Sequence, residues 1–363
     1  MSDNSISNSI NEDFVKKIVK NLEDPQCIKD ILETSKQAGT LSNVINKKDL
    51  HGDAVAHYAA RAHALDLLKL LHKYGADLEA INDYGRRPIH ETIDNFECLF
   101  FLVTECHVDV NAFKRGDWTP IMIAAMKGYL EIVHLLSNSG ALLNLSTKDG
   151  RTALHLAVQN GHVEISKFLA KEYPGAITMS TKSGRWPLQV ATALQESPDA
   201  AYEITVSLIS TYTSKANSVP DSLLLLLQHK DKSGRNLLQD AVVAHNLRLV
   251  EYLLEKKDAF ADEPDSLGRT VLHHAAMLGY TDILDILSKK AQCLSWDALD
   301  TWDHWTPLMH ASREGHLETV RFLLRVGADQ SLRDKQGRTA CELASLWNHD
   351  DIANLLCVIK TET

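Results

Sequence analysis

GRTVLHHAAMLGYTDILDIL, residues Gly268 to Leu287, sets the reading of the whole chain. It begins with a turn glycine and a helix-capping Thr270. A short helix follows with a small Ala275-Ala276 pair, then a second glycine at Gly279 and an amphipathic run. The same order returns in GRTALHLAVQNGHVEISKFLA (Gly150 to Ala170) and in WTPLMHASREGHLETVRFLLRVGAD (Trp305 to Asp329). Extended in both directions, the G-x-T-P-L-H-x-A-A frame puts its first position at Gly52, Gly85, Asp117, Gly150, Gly184, Gly234, Gly268, His304 and Gly337. The spacings are 33, 32, 33, 34, 50, 34, 36 and 33 residues. A fixed period of this length marks a repeat array. The long interval from Gly184 to Gly234 contains an insertion.

Each slot has a physical job. The first glycine supplies positive φ in a tight turn. Thr119, Thr152, Thr270, Thr306 and Thr339, with Asn236 as a substitute, fill the N-cap slot, where a side-chain oxygen accepts from an otherwise unpaired N–H. Pro88, Pro120, Pro187 and Pro307 occupy the first helical position, where a missing N–H costs nothing. Gly128, Gly161, Gly279 and Gly315 end the first helix. In EIVHLLSNSG (Glu131 to Gly140), Ile132, Val133, Leu135 and Leu136 recur at helical spacing.

This frame is identified as the ankyrin repeat, and the resemblance covers Lys47 to Cys357. The implied fold class is all-α: an ankyrin-repeat solenoid of about nine helix-turn-helix repeats with β-turn fingers. Such units must stack, because one helical hairpin cannot bury enough apolar surface to offset its own ordering. The chain divides into a disordered 1–11, an N-terminal helical cap at 12–46 broken at Pro25, and the array at 47–363. The insertion lies at about 195–230. It consists of extra turn residues around Gln195 to Ala200, a loop from 211 to Pro220, and a short apolar helix built on Leu223 to Leu227. The last repeat carries Asn348, His349, Asp350 and Asp351 in its inter-helix turn and reads as a polar C-terminal cap.

The chain has 363 residues and a formal charge of −10, from 38 basic and 48 acidic residues. That balance argues against direct nucleic-acid binding, which draws its affinity from clustered Lys and Arg. The N-terminus MSDNSISNSINEDF has neither a basic n-region nor an apolar h-region. The five-leucine run is too short to span a bilayer. Six cysteines without a CxxC pair point to a reducing compartment, and they read as small core residues. A cytoplasmic monomer, also present in the nucleus, without cofactor or membrane contact, is the expectation.

Seventeen histidines invite a metal reading. His57, His90, His155 and His273, however, occupy the T-P-L-H slot, and His162 and His316 follow the turn glycine. No HExxH or paired CxxC occurs, so no metal site is expected. There is also no GxSxG elbow, P-loop or GxGxxG, and no catalytic residue is assigned.

Two surface patterns remain. Arg115, Lys148, Lys182 and Lys232 stand two residues before the finger position in repeats 3 to 6, and Lys335 does so in repeat 9. Arg86, Arg151, Arg185, Arg235, Arg269 and Arg338 stand one residue after it. Stacked in register, these would make a basic ribbon facing an acidic protein partner; solvated finger tips also tolerate such charge with no role at all. The second pattern is tryptophan: Trp302 and Trp305 flank the finger of repeat 8, with Trp118 at the matching place in repeat 3. Trp is enriched at interface hot spots, and it also packs between fingers.

Four stretches, LEAINDYGRRPIHE (Leu78 to Glu91), FKRGDWTPIM (Phe113 to Met122), YPGAITMSTKSGRWPL (Tyr173 to Leu188) and DEPDSLGRTVLHHAA (Asp262 to Ala276), resemble the ankyrin repeat domain-containing protein 16 family. The resemblance implies a non-enzymatic partner of alanyl-tRNA synthetase that limits serine misincorporation, with lysines accepting misactivated serine. One acceptor position corresponds to Lys148. The other two correspond to Arg115, which cannot readily deprotonate, and Thr178, which has no amine. The insertion also departs from the family pattern. The alternative is a generic ankyrin adaptor in signalling or ubiquitin-pathway assembly, binding through Trp302 and Trp305.

Overall fold

The computed structural model describes residues 14–22, 24–215, 222–256, 260–291 and 294–358. The expected disorder of 1–11 lies outside them. The chain forms two compact units, residues 1–169 and 170–363. Among the described residues all regular secondary structure is helical, apart from isolated bridges at Lys48 with Ala54 and Lys114 with Trp118.

Each repeat is an inner helix and an outer helix preceded by a finger. In the first unit the helix pairs are Val55–Arg61 with Leu65–Lys73, Pro88–Glu91 with Phe96–Thr104, and Pro120–Lys127 with Leu130–Asn138. Ala153–Gln159 begins the fourth. In the second unit the pairs are Pro187–Thr192 with Pro198–Lys215, Leu237–Val243 with Leu247–Lys256, Val271–Leu278 with Thr281–Lys290, Pro307–Glu314 with Leu317–Arg325, and Ala340–Leu346 with Asp350–Val358. The cores are the apolar faces expected from the periodicity: Leu67, Leu68 and Leu71, or Ile283, Leu284 and Leu287, are fully buried.

The nine finger positions all take positive φ. The two without glycine do so as well, Asp117 at 63° and His304 at 58°; Asp and His are among the side chains that tolerate this region. The repeat-8 finger is one residue longer. Its closing bond runs from the Asp300 N–H to the Trp305 carbonyl, five residues on, where the others span four, as from Asp265 to Arg269.

The N-terminal cap is helical at 14–20 and Pro25–Gln37, with Asp24 accepting from the N–H groups of Gln26 and Cys27. Its second helix is tied to repeat 1 by the Tyr74 hydroxyl, which donates to Glu33. The insertion differs from expectation in two parts. Residues 198–200 are not turn but the start of the outer helix of repeat 5. Residues 211–215 are not loop but the end of Pro198–Lys215, an outer helix of 18 residues against 10 in Leu247–Lys256. The added length continues the helix because TVSLISTYTSK contains no breaker. Residues 216–221 lie outside the described set. The apolar helix is present at Ser222–Gln228, with Leu226 and Leu227 buried.

Cysteines also depart from expectation. Cys341 is buried, but Cys357 is exposed, and the two are joined as a disulfide across the helix pair of repeat 9. Sixteen residues of separation bring facing positions of the two helices to a Cα–Cα distance of 6.4 Å, within disulfide reach.

Candidate protein-interaction surface

The site is built from the inside out, starting at the T-P-L-H slot. His57 Nδ1 accepts from the Ala54 N–H (3.2 Å), and its Nε2 faces the Arg86 carbonyl of the next finger (3.0 Å). His90 accepts from Arg87 and faces Ala112. His273 accepts from Thr270 (3.1 Å) and faces the Trp305 carbonyl (3.1 Å). A ring accepting at Nδ1 and donating at Nε2 is neutral. Burial agrees, pushing both His90 and His273 down to about 4. Glutamine makes the same clamp in repeats 5 and 6: Gln189 accepts from Trp186 and donates to Arg235, and Gln239 accepts from Asn236 and donates to Arg269. In repeat 3 Met122 fills the slot, and Thr119 Oγ1 is buried with no hydrogen-bond partner. Thr152 and Thr270 instead reach the His ring, at 2.9 and 3.0 Å.

The histidines after the turn glycine form a second set of ties. His162 Nε2 meets the Met126 carbonyl, and His316 Nε2 meets that of Met277, both at 3.0 Å. Among the described residues no group of three His, Cys, Asp or Glu side chains could hold a metal ion.

One internal layer was missed. The residue after the His slot holds the first carboxylate of its own finger: Tyr58 to Asp49 (2.5 Å), His274 to Asp265 (3.2 Å), His310 to Asp300 (3.1 Å). Burial pushes the Asp300 carboxyl up, but the His310 bond and the N–H groups of Trp305 and Asp303 outweigh it and leave it at about 2. The recurring pair of a polar residue at that slot and an Asp at the finger base was the available signal.

This layer corrects the basic ribbon. The arginines after the finger position are half-buried and spent internally. Arg86 pairs with Glu91 at 3.2 Å and Arg151 with Asp149 at 2.6 Å. Arg185 pairs with Asp240 at 2.9 Å, Arg235 with the same carboxylate at 3.6 Å, and Arg338 with Asp334 at 2.7 Å. Arg269 lies 4.0 Å from Asp300.

The residues before the finger position behave differently. Arg115 and Lys148 in the first unit, and Lys182 and Lys232 in the second, are exposed. Their backbones hold the fingers in register: the Lys148 N–H donates to Gly116 and the Lys232 N–H to Ser183, both at 3.0 Å. Lys335, in contrast, is folded back, its Nζ donating to the carbonyls of Thr301 and Trp302.

The three tryptophans separate. Trp302 is 68% exposed on its finger. Trp118 is half-buried, with Lys114 Nζ at 5.4 Å and the Arg151 guanidinium at 5.7 Å from its ring. Trp305 is only 8% exposed, a correction to its expected place on the binding face. Its indole N–H finds the buried Asp334 carboxylate of the next finger at 3.1 Å, and its ring packs edge-on against His310.

Family comparison agrees with this architecture. The family described as "Ankyrin repeats (3 copies)" matches residues 93–182, 212–297 and 290–362, and "Ankyrin repeats (many copies)" matches 56–103. The chain belongs to the ankyrin-repeat family. The ankyrin repeat domain of Bcl-3, a member of the IkappaB family, superposes with a TM-score of 0.51 at 26% identity, covering 65% of this chain and 98% of that one. Human BCL-6 corepressor-like protein 1 is 35% identical over 130 residues, 36% of this chain and 7% of that protein. Human NAD-capped RNA hydrolase NUDT12 is 48% identical over 56 residues, 15% of this chain and 12% of that protein. That match falls in its ankyrin region alone. The chain thus spans about a tenth of these curated relatives. Ankyrin arrays of this kind are protein-interaction scaffolds, and no described helix is long and apolar enough to cross a membrane.

Proposed function

We propose that this chain is a non-enzymatic scaffold that grips an acidic protein surface with its finger tips, and that the partner is alanyl-tRNA synthetase, in the cytoplasm and nucleus. The single observation that carries the reading is the exposure of Arg115, Lys148, Lys182 and Lys232 while the neighbouring arginines are paired internally. Exposed cations that contribute little to the fold are free to steer and orient an acidic partner. The synthetase as partner rests on the four matching stretches, and so does Lys148 as serine acceptor. In that step the neutral amine attacks the carbonyl of seryl-adenylate. An amide forms, the mixed-anhydride bond breaks, AMP leaves, and the amine proton passes to solvent.

The test is capture of purified alanyl-tRNA synthetase by the intact chain and by a variant with all four cations changed to Glu. Retention by the unmutated chain and loss by the variant is the expected result. Retention by both removes the finger cations, and no retention by either removes the partner. Mass spectrometry after incubation with seryl-adenylate reads the acceptor role as a seryl adduct on Lys148.

A further inference from the structure

The cationic tips and the exposed tryptophan are continuous in the second unit. Its fingers are locked edge to edge by four backbone bonds: Lys232 N–H to Ser183 O (3.0 Å), Ser266 N–H to Ser233 O (2.9 Å), Thr301 N–H to Leu267 O (2.9 Å) and Lys335 N–H to Asp303 O (3.0 Å). Among the exposed side chains along that ladder, the charged and large apolar ones on fingers 5 to 8 run Lys182, Lys232, Leu267, Trp302, with Ser183, Ser233, Ser266 and Thr301 exposed between them. The carboxylates that could cancel the lysines are turned inward. Asp231 is 7% exposed and bonded to Ser233 and to the N–H of Arg235. Asp265 is held by His274 and by the N–H groups of Leu267 and Arg269. At the other end, the Lys335 ammonium donates to the backbone carbonyls of Thr301 and Trp302. The edge therefore carries its cations over repeats 5 and 6 and its large apolar side chains over repeats 7 and 8, beside the small polar Ser266 and Thr301 and the exposed His304.

We infer that this edge seats one extended peptide segment of the partner, with carboxylates over Lys182 and Lys232 and aliphatic or aromatic side chains over Leu267 and Trp302. This rests on the reading of the finger tips as a partner surface and names the chemistry that they select. The order of charge and apolarity along the segment is what the edge recognises. Composition alone does not satisfy it, because the ladder fixes which tip neighbours which. A rigid edge also incurs little ordering cost of its own when it binds.

Fluorescence anisotropy on the full chain tests this with two labelled peptides of about twelve residues, ~40 Å when extended. One has its Asp and Glu in one half and Leu and Phe in the other; the second has the same residues interleaved. The segregated peptide is expected to bind about tenfold more tightly. Lys182→Glu with Lys232→Glu should weaken it at least tenfold and flatten its salt dependence. Trp302→Ala should weaken it about fivefold and leave the salt slope in place. Equal affinity for the two peptides, no binding of either, or an unchanged affinity for Trp302→Ala would overturn the inference. Trp302 is surface-exposed, so a matched thermal unfolding curve confirms that this variant is folded. Synthetase capture that persists despite such a result would leave the proposed function standing without this edge.

Discussion

The two units carry the same clamp inside and different charge outside. In the first unit each tip cation has an acid on its own finger: Arg115 stands near the exposed Asp117, and Lys148 is next to the exposed Asp149, whose carboxylate also pairs with Arg151. In the second, Lys182 and Lys232 are followed by serines, and the Asp231 carboxylate is buried. Four cations at one slot of the repeat are therefore not four equal contributions. The net field at a tip is set by whether the finger's own carboxylate faces solvent or the core.

The largest effect should come from breaking the finger register on which this contrast depends. A Cβ on Gly234 would lie 2.6 Å from Ser266 N, while on Gly337 it would meet nothing within 4 Å. Both glycines have positive φ, 74° and 77°. Gly337→Ala should cost only the conformational term, ~1 kcal/mol. Gly234→Ala should cost ~3 kcal/mol or more, because backbone must also move. Equilibrium denaturation of the two variants compares them directly.

The interior clamp should be pH-sensitive at His90 and His273 and insensitive where it is glutamine. His90 and His273 are held near 4 by burial, below the 6.5 of an exposed imidazole. A depressed value means fewer protons bound in the folded state. The stability these rings contribute is complete above about pH 6.5 and is lost as pH falls toward 4. At pH 5 each ring should have lost ~2 kcal/mol. His273→Gln, which copies the native arrangement at Gln189 and Gln239, should fold at pH 7 and remove that share of the acid sensitivity. The check is the unfolding free energy from pH 7 to 5 for the parent and the variant.

The smallest effect concerns the charge contrast itself. Lys182→Glu with Lys232→Glu should weaken capture of an acidic partner about tenfold at low salt. Arg115→Glu with Lys148→Glu, where acids already sit on the same fingers, should weaken it about threefold. Titration calorimetry with the captured partner ranks the two pairs.

The fold was legible because each slot of the repeat has a local physical reason: positive φ, a cap, a proline, a neutral imidazole. Even Asp117 and His304 adopt the backbone that glycine adopts elsewhere. The site was only partly legible. Exposure of the tip lysines followed from the frame. The pairing of Arg185 did not, because Asp240 lies 55 residues away; the local pairs Arg86 with Glu91, Arg151 with Asp149 and Arg338 with Asp334 were within reach of the sequence and were overlooked. The fate of the tryptophans was equally non-local: the buried Asp334 takes the Trp305 indole, while Trp302, three residues earlier, has 68% of its surface in solvent. Cys341 and Cys357 looked like separate core residues until the helix pair brought them together.

The central claim is that partner recognition occurs on the finger tips. Hydrogen–deuterium exchange of this chain, alone and bound to alanyl-tRNA synthetase, tests it most directly. New protection confined to fingers is expected, led by residues 182–185, 232–235, 266–268 and 301–303. Protection concentrated instead on outer helices such as Leu247–Lys256 and Leu317–Arg325, with the fingers unchanged, would contradict it.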